Sequence, residues 1–410
     1  MIRFPQNFLW GAATSAYQVE GDNVNSDWWQ WEKTTGKEKS GPACRHYEFY
    51  ERDFDLAKSL YHNAHRFSIE WSRIEPKEGK FSQEALKHYI DVILALKRRN
   101  IEPIVTLHHF TNPVWFSKSE GWVKLRSIAC FLRYCDFVTR ALAKYVHYWV
   151  TINEPTIYIS HAYILGIWPP QAKSYLKAAQ VEENLVSAHI KAYCLIHKIY
   201  KELNLPAPSI SIAQNVTAFV PYRRELKNVF AAYLRDRLYN LGFLERAMRH
   251  NIIRQKTMDF IGVNYYSRQL IGLKKFRIAN LAMDVCNDNR HPCEKNSLGW
   301  DIYPKGLYEA LLELKQYGLP IMITENGICT SDDNLRWKYI YAHLKNIHRA
   351  MRKGVDVTGY LYWSLMDNFE WDKGFSPRFG LIGINYNTHK RTIRKSARLF
   401  GQVCKTGILK

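Results

Sequence analysis

Apolar residues gather in eight short runs, at 9–13, 65–70, 103–109, 148–153, 209–215, 259–265, 320–324 and 359–364. Each run is rich in β-branched and aromatic residues. Each is close to continuous rather than alternating, as expected of strands buried on both faces. Between the runs the pattern turns helical, over 85–99, 128–145, 182–203, 229–250, 308–317 and 337–353. Strand alternating with helix predicts parallel strands joined by crossovers. Eight such strands are the number a closed (β/α)8 TIM barrel requires, here one catalytic domain over residues 1–410. The length beyond the ~250 residues of a bare barrel must then sit in loops.

Polar residues collect where the runs end, on the rim where such a barrel keeps its chemistry. The second run ends in Ile69-Glu70-Trp71, the third in His108-His109-Phe110 and the fourth in Asn153-Glu154-Pro155. The sixth ends in Asn264-Tyr265-Tyr266, the seventh in Glu325-Asn326-Gly327 and the eighth in Trp363-Ser364. A single polar strand end is usually a helix cap. Six converging on one rim predict a site.

Composition narrows the classes of function. The chain is 47% hydrophobic and 23% charged, a globular balance. Its net charge of +20 raises nucleic acid as a partner. The surplus is local: residues 389–410 hold seven Lys/Arg and no acid, and 222–256 hold nine against three acids. No nucleic-acid motif accompanies either stretch, which reads as solvated basic surface. No charged-then-apolar leader opens the sequence, and the most suspicious uncharged segment, 156–168, is too short to span a bilayer. The eight cysteines are scattered without a C-x-x-C pair. Unpaired thiols predict a reducing compartment, the cytoplasm. Cys286, His291 and Cys293 are the nearest approach to a ligand cluster and lack a second pair, so no metal is expected.

Glu154 and Glu325 are the two carboxylates that directly follow or close an apolar run ahead of a turn former, on the fourth and seventh strands. Cleaving a glycosidic bond requires a proton for the leaving oxygen and an answer to positive charge at the anomeric carbon. Two carboxyls ~5–5.5 Å apart permit direct attack, a covalent sugar–enzyme intermediate and retained configuration. One must be ionised and the other protonated. An ionised neighbour raises the second carboxyl's pKa, and a cation such as Arg66 lowers the first.

The motifs resemble those of the glycoside hydrolase family 1 β-glycosidases. Thr151-Ile152-Asn153-Glu154-Pro155 resembles the family's acid/base motif, and Ile323-Thr324-Glu325-Asn326-Gly327 its nucleophile motif. The stretch from Phe8 to Gly21 resembles its N-terminal signature, and Trp363 to Trp371 its C-terminal sugar-binding segment. The resemblance runs from Phe8 to about Val403, and it implies a retaining exo-β-glycosidase for β-glucosides, with β-galactosides or β-fucosides within reach. It makes Glu325 the nucleophile and Glu154 the acid/base. Arg66, Asn264 and Tyr266 would support them. Gln18, His109, Asn153, Glu370 and Trp371 would bind hydroxyls, and Trp363 would stack under the sugar's apolar face. The chemistry needs no cofactor. The partner is a small β-glycoside or oligosaccharide.

The sequence departs from the family in places. Phe110 lacks the hydrogen-bonding edge of a Trp, and Arg45 stands where relatives often have Asp. The 43 residues from 216 to 258 are fewer than relatives place between strands five and six. That shortage predicts a barrel wall shortened or incomplete on that side, with a pocket opened beyond the first sugar. Two other readings stand beside the main one. A 6-phospho-β-glycosidase is favoured by Lys373 and opposed by Glu370, whose charge would repel a phosphate. A catalytically weak sugar-binding barrel is opposed by the presence of both carboxylates.

Overall fold

The computed structural model describes residues 1–248, 256–272 and 292–410. Eight parallel strands close into a barrel in chain order: β1 (Leu9–Ala13), β2 (Ala64–Ser68), β3 (Glu102–His108), β4 (Tyr148–Asn153), β5 (Ser209–Pro221), β6 (Ile261–Ile271), β7 (Ile321–Asn326) and β8 (Val357–Trp363). The last strand returns to the first, Gly359 opposite Leu9 through Trp363 opposite Ala13. Closure leaves no strand edge in the barrel to be satisfied. All six residues of β7 and all five of β2 are buried, as their continuous apolar runs require.

Helices separate the strands. Gln83–Arg98, Arg126–Leu142, Tyr175–Glu202, Leu226–Asp236, Pro304–Leu314 and Asp333–Met351 match the six helical patterns to within a turn or two at most ends. The fourth is interrupted by a π-helical turn at Arg237–Leu241 before resuming over Gly242–Met248. Residues 249 and 250 of that expected helix lie outside the described residues. Local chemistry sets the starts: Ser82 Oγ accepts the Ala85 N–H at 3.1 Å, and Asp332 Oδ1 accepts those of Asn334 and Leu335.

Inside the barrel, Ala13, Ala64, Ile104, Val150, Ala213, Met322 and Leu361, from seven of the eight strands, join one apolar cluster. This plug supports Trp363 and Phe379 and closes the barrel below the rim. Outside it, Val105, Trp149, Ile212, Val263, Ile323 and Tyr360 belong to the larger cluster that the helices cover.

The expectation of an incomplete wall between the fifth and sixth strands is not met. β5 and β6 pair from Ala213 opposite Gly262 to Pro221 opposite Ile271, with one irregularity between Val216 and Ala218. The shortage is taken from the connection and not from the sheet. Backbone groups beyond Asn215 need partners, and continuing the ladder supplies them. The basic stretch that follows is partly neutralised by ion pairs, Arg237 with Glu245 and Arg246 with Glu182.

Candidate active site

A cavity of about 510 Å³ opens at the C-terminal ends of the strands. Gln18, His109, Asn153, Glu154, Tyr266, Glu325, Trp363, Glu370 and Trp371 all line it. Arg66 and Asn264 lie behind that lining and bond to it. Every residue the sequence proposed for the site is therefore gathered at one place.

Glu154 caps the short helix Pro155–Ile159, with φ at 43°. Left-handed backbone is costly for a side chain with a Cβ, on the order of 1–2 kcal/mol. Phe110 (φ 71°) and Trp371 (φ 51°), also on the cavity wall, share it. Such strain gathers at functional sites. Glu325 sits in β7 with both oxygens engaged: Oε1 accepts from Arg66 Nη1 at 2.6 Å and Oε2 from the Tyr266 hydroxyl at 2.5 Å. Gly327, two residues on, passes so close to β8 that a Cβ would lie 1.8 Å from the Trp363 carbonyl oxygen. That contact explains the glycine in the motif.

Arg66 organises the rest. Its Nη2 donates to Asn153 Oδ1 at 2.6 Å. A guanidinium only donates, so that atom of Asn153 is the oxygen and the other is the amide nitrogen. The Asn153 nitrogen meets His109 Nε2 at 3.1 Å. His109 Nε2 is then the acceptor and Nδ1 carries the proton. Among the described residues Nδ1 is buried without a hydrogen-bond partner. Burial, with the nearby Arg66 charge, holds the His109 pKa well below its ordinary value, so the ring is neutral. Gln18 Nε2 donates to the Phe369 carbonyl at 2.9 Å and to Glu370 Oε2 at 3.3 Å.

The three cavity carboxyls differ in their surroundings. Burial and the neighbouring Glu325 push Glu154 up to about 8, against the pull of Asn264 and Asn215. Burial, Glu325 and Glu154 push Glu370 up to about 8 as well. Burial also raises Glu325, so Arg66 does not bring it below the ordinary carboxylate value as the sequence suggested. Desolvation outweighs the ion pair. Among the described residues, however, Glu325 is the one of the three that touches a cation, and Arg66 and Tyr266 both favour its charged form. Contact with the guanidinium favours charge on Glu325 more than the amide contacts favour it on Glu154.

Residues left out of the sequence reading also belong here. Asn215, Thr217, Tyr239, Trp168 and Trp300 line the cavity. Asn215 closes the fifth apolar run as Asn264 lies in the sixth, a parallel that could have flagged it. Tyr239 lies in the π-helical turn and has no signature in the sequence. Glu70 was left out, and the structure places it away from the cavity lining, capping the helix Trp71–Ile74. His108 is buried against Asn112, in keeping with a structural part. Cys286 and His291 lie outside the described residues. Cys293 donates to the Ile302 carbonyl, and the described residues contain no group of three metal ligands.

The profile of the family described as "Glycosyl hydrolase family 1" matches residues 1–251 and 246–408. The two pieces meet inside the shortened connection. The chain is 32% identical to a protein named Beta-glucosidase A from Acetivibrio thermocellus, covering 98% of each. It is 30% identical to a 6-phospho-beta-galactosidase from Clostridium acetobutylicum, over 98% of this chain and 97% of that one. Among solved structures, a beta-glycosidase from Pyrococcus horikoshii superposes with a TM-score of 0.92 at 39% identity, covering 100% of this chain and 96% of the other.

Proposed function

This chain belongs to glycosyl hydrolase family 1 and is a glycosidase acting on O-glycosyl bonds, and from that premise we propose that it is a retaining exo-β-glycosidase of β-glucosides, with Glu325 as nucleophile and Glu154 as acid/base. The observation that carries this reading is the unequal support of two carboxyls in one cavity. Glu325 is held by a guanidinium and a phenol, while Glu154 is buried at about 8 with, among the described residues, two side-chain amides for partners.

In the first step a Glu325 oxygen bonds to the anomeric carbon as the C–O bond to the leaving group breaks. Glu154 gives its proton to the departing oxygen. The ester so formed has no charge, so the repulsion from Glu325 that helps raise Glu154 disappears. Glu154, now ionised, is a fitting base for the second step. It takes a proton from water as the water oxygen bonds to the same carbon and Glu325 leaves. Two inversions give net retention. The reaction draws on these carboxyls alone, with no cofactor. The Asn153 amide has one N–H left for a sugar hydroxyl, and Gln18, His109 and Glu370 line the cavity beside it. Trp363 supplies an apolar platform.

Glucosides lead because of the relative named Beta-glucosidase A, and β-galactosides and β-fucosides are the other arms of the test. The 6-phosphate reading has a 30% identical relative behind it. Against it, Lys373 Nζ is held by Asp372 at 2.7 Å. Glu370, pushed up to about 8, does not carry the charge that was expected to repel a phosphate at neutral pH. Unpaired Cys44, Cys130, Cys135, Cys194, Cys293, Cys329 and Cys404 support a reducing compartment, the cytoplasm.

The deciding experiment is a panel of nitrophenyl β-glycosides, including the glucoside 6-phosphate, on wild type, Glu154→Gln and Glu325→Gln. Either substitution should lower activity by roughly two to four orders of magnitude. Azide should partly restore Glu154→Ala on an activated leaving group, and the first sugar released should be the β-anomer. Wild-type rates in either variant, or an α-product, defeat the assignment.

A further inference from the structure

The two oxygens of Glu154 have different surroundings. Oε1 accepts from Asn264 Nδ2 at 2.8 Å and from Asn215 Nδ2 at 3.2 Å. Among the described residues no protein donor reaches Oε2. The orientation of Asn264 is anchored through Arg66. Because Asn153 Oδ1 accepts from the guanidinium, the Asn264 atom 3.2 Å from that oxygen must be its nitrogen. The same nitrogen faces Glu154.

Asn215 is anchored from another direction. Its Oδ1 accepts the Thr217 hydroxyl at 3.3 Å. Asn240 then grips Thr217 by its backbone on both sides: it accepts the Thr217 N–H at 3.0 Å and donates to the Thr217 carbonyl at 2.8 Å. Asn240 is buried in the π-helical turn Arg237–Leu241 and also donates to Asp236 Oδ1. A tether of four side chains thus runs from that turn to the carboxyl, Asp236 to Asn240 to Thr217 to Asn215.

An oxygen that accepts two N–H groups has no lone pair to spare for a proton. We propose that Asn215 is a positioning residue that, by filling the second acceptor site of Oε1, confines the Glu154 proton to Oε2, the oxygen left to the cavity. Asn264 alone would leave Oε1 one free lone pair, and the proton could then occupy either oxygen. With Asn215 in place the acid is presented in a single orientation. Among the described residues, the titratable and charged groups facing Glu154 are Glu325 from β7, Glu370 beyond β8, Arg66 from β2, Tyr266 from β6, His109 just beyond β3 and Tyr239 from the π-helical turn. They set its charge balance, and all of them stay in place when Asn215 is changed.

The inference rests on Glu154 being the acid, and the test separates the two. Asn215→Ala removes an N–H that favours the ionised carboxylate, so the alkaline limb of kcat/KM, expected near 8 in wild type, should move up by about half a pH unit. The same variant should lose about ten-fold on methyl β-glucoside, whose departure needs the proton, and stay within about two-fold on the 2,4-dinitrophenyl glucoside, which does not. Thr217→Val keeps Asn215 but frees it and should shift both readouts in the same direction by less. It decides the matter alone if Asn215→Ala does not fold. An unmoved alkaline limb with an unchanged methyl-to-dinitrophenyl ratio overturns the proposal, as does an equal loss on both substrates. If Glu154→Gln itself keeps the wild-type ratio, the acid assignment fails. If Glu154→Gln loses the ratio and Asn215→Ala keeps it, only the role of Asn215 fails.

Discussion

Glu154, Glu325 and Glu370 are chemically identical side chains, and their partners alone tell them apart. A guanidinium in contact favours charge, amides favour it less, and a second carboxylate opposes it. The same reasoning applies away from the cavity. Glu70 is fully buried, accepts from Ser72 and Thr111, and is pushed from the ordinary 4.5 to about 7, by burial first. Between those values the folded state keeps a proton that the unfolded chain has released. Stability therefore falls as pH rises through that window, by on the order of 3 kcal/mol in full. Glu70→Gln has no proton to lose. Across pH 4.5 to 7 the wild-type Tm should fall relative to that of the variant, and parallel Tm curves would contradict the account.

The strands were recognisable because burial on both faces leaves little choice of residue. The run at 148–153 coincides with β4, and 320–324 lies within a residue or two of β7. The fifth and sixth were read as ending at 215 and 265, whereas β5 reaches Pro221 and β6 reaches Ile271. Polar residues in Asn215-Val216-Thr217 looked like a strand end. They are polar because the cavity lies beside them, and the strand continues past it. This extension carries a measurable consequence. Amides of 218–220 and 268–271 should exchange with solvent as slowly as those of β4, followed by mass spectrometry. Rapid exchange there would restore the incomplete wall. Asn215 went unweighed because the fifth strand was not among the six whose polar ends were read as a rim.

Across the molecule, charge and connectivity act together. The two chain ends are stitched by antiparallel pairing of Ile2 with Leu409 and Arg3 with Ile408. The net charge of +20 produces a field that attracts polyanions without selecting among them. A labelled oligonucleotide should bind weakly at low salt and be released as salt rises toward about 200 mM, since counterion release dominates such contacts. Affinity persisting at that salt would revive nucleic acid as a partner. The described residues include no helix long and apolar enough to cross a membrane.

The order of apolar runs, the helical periods between them and the two carboxyl motifs were set along the chain itself, because local period and residue type report whether a segment is buried. Three things needed the folded molecule. Glu154 and Glu325 meet in one cavity only once the barrel closes. Glu325 is raised despite Arg66 because desolvation depends on everything packed around the pair. The tether from Asn240 to Asn215 joins residues 25 positions apart through a turn that has no sequence signature. Burial and charge are summed over neighbours in space, and neighbours along the chain are only a small share of those.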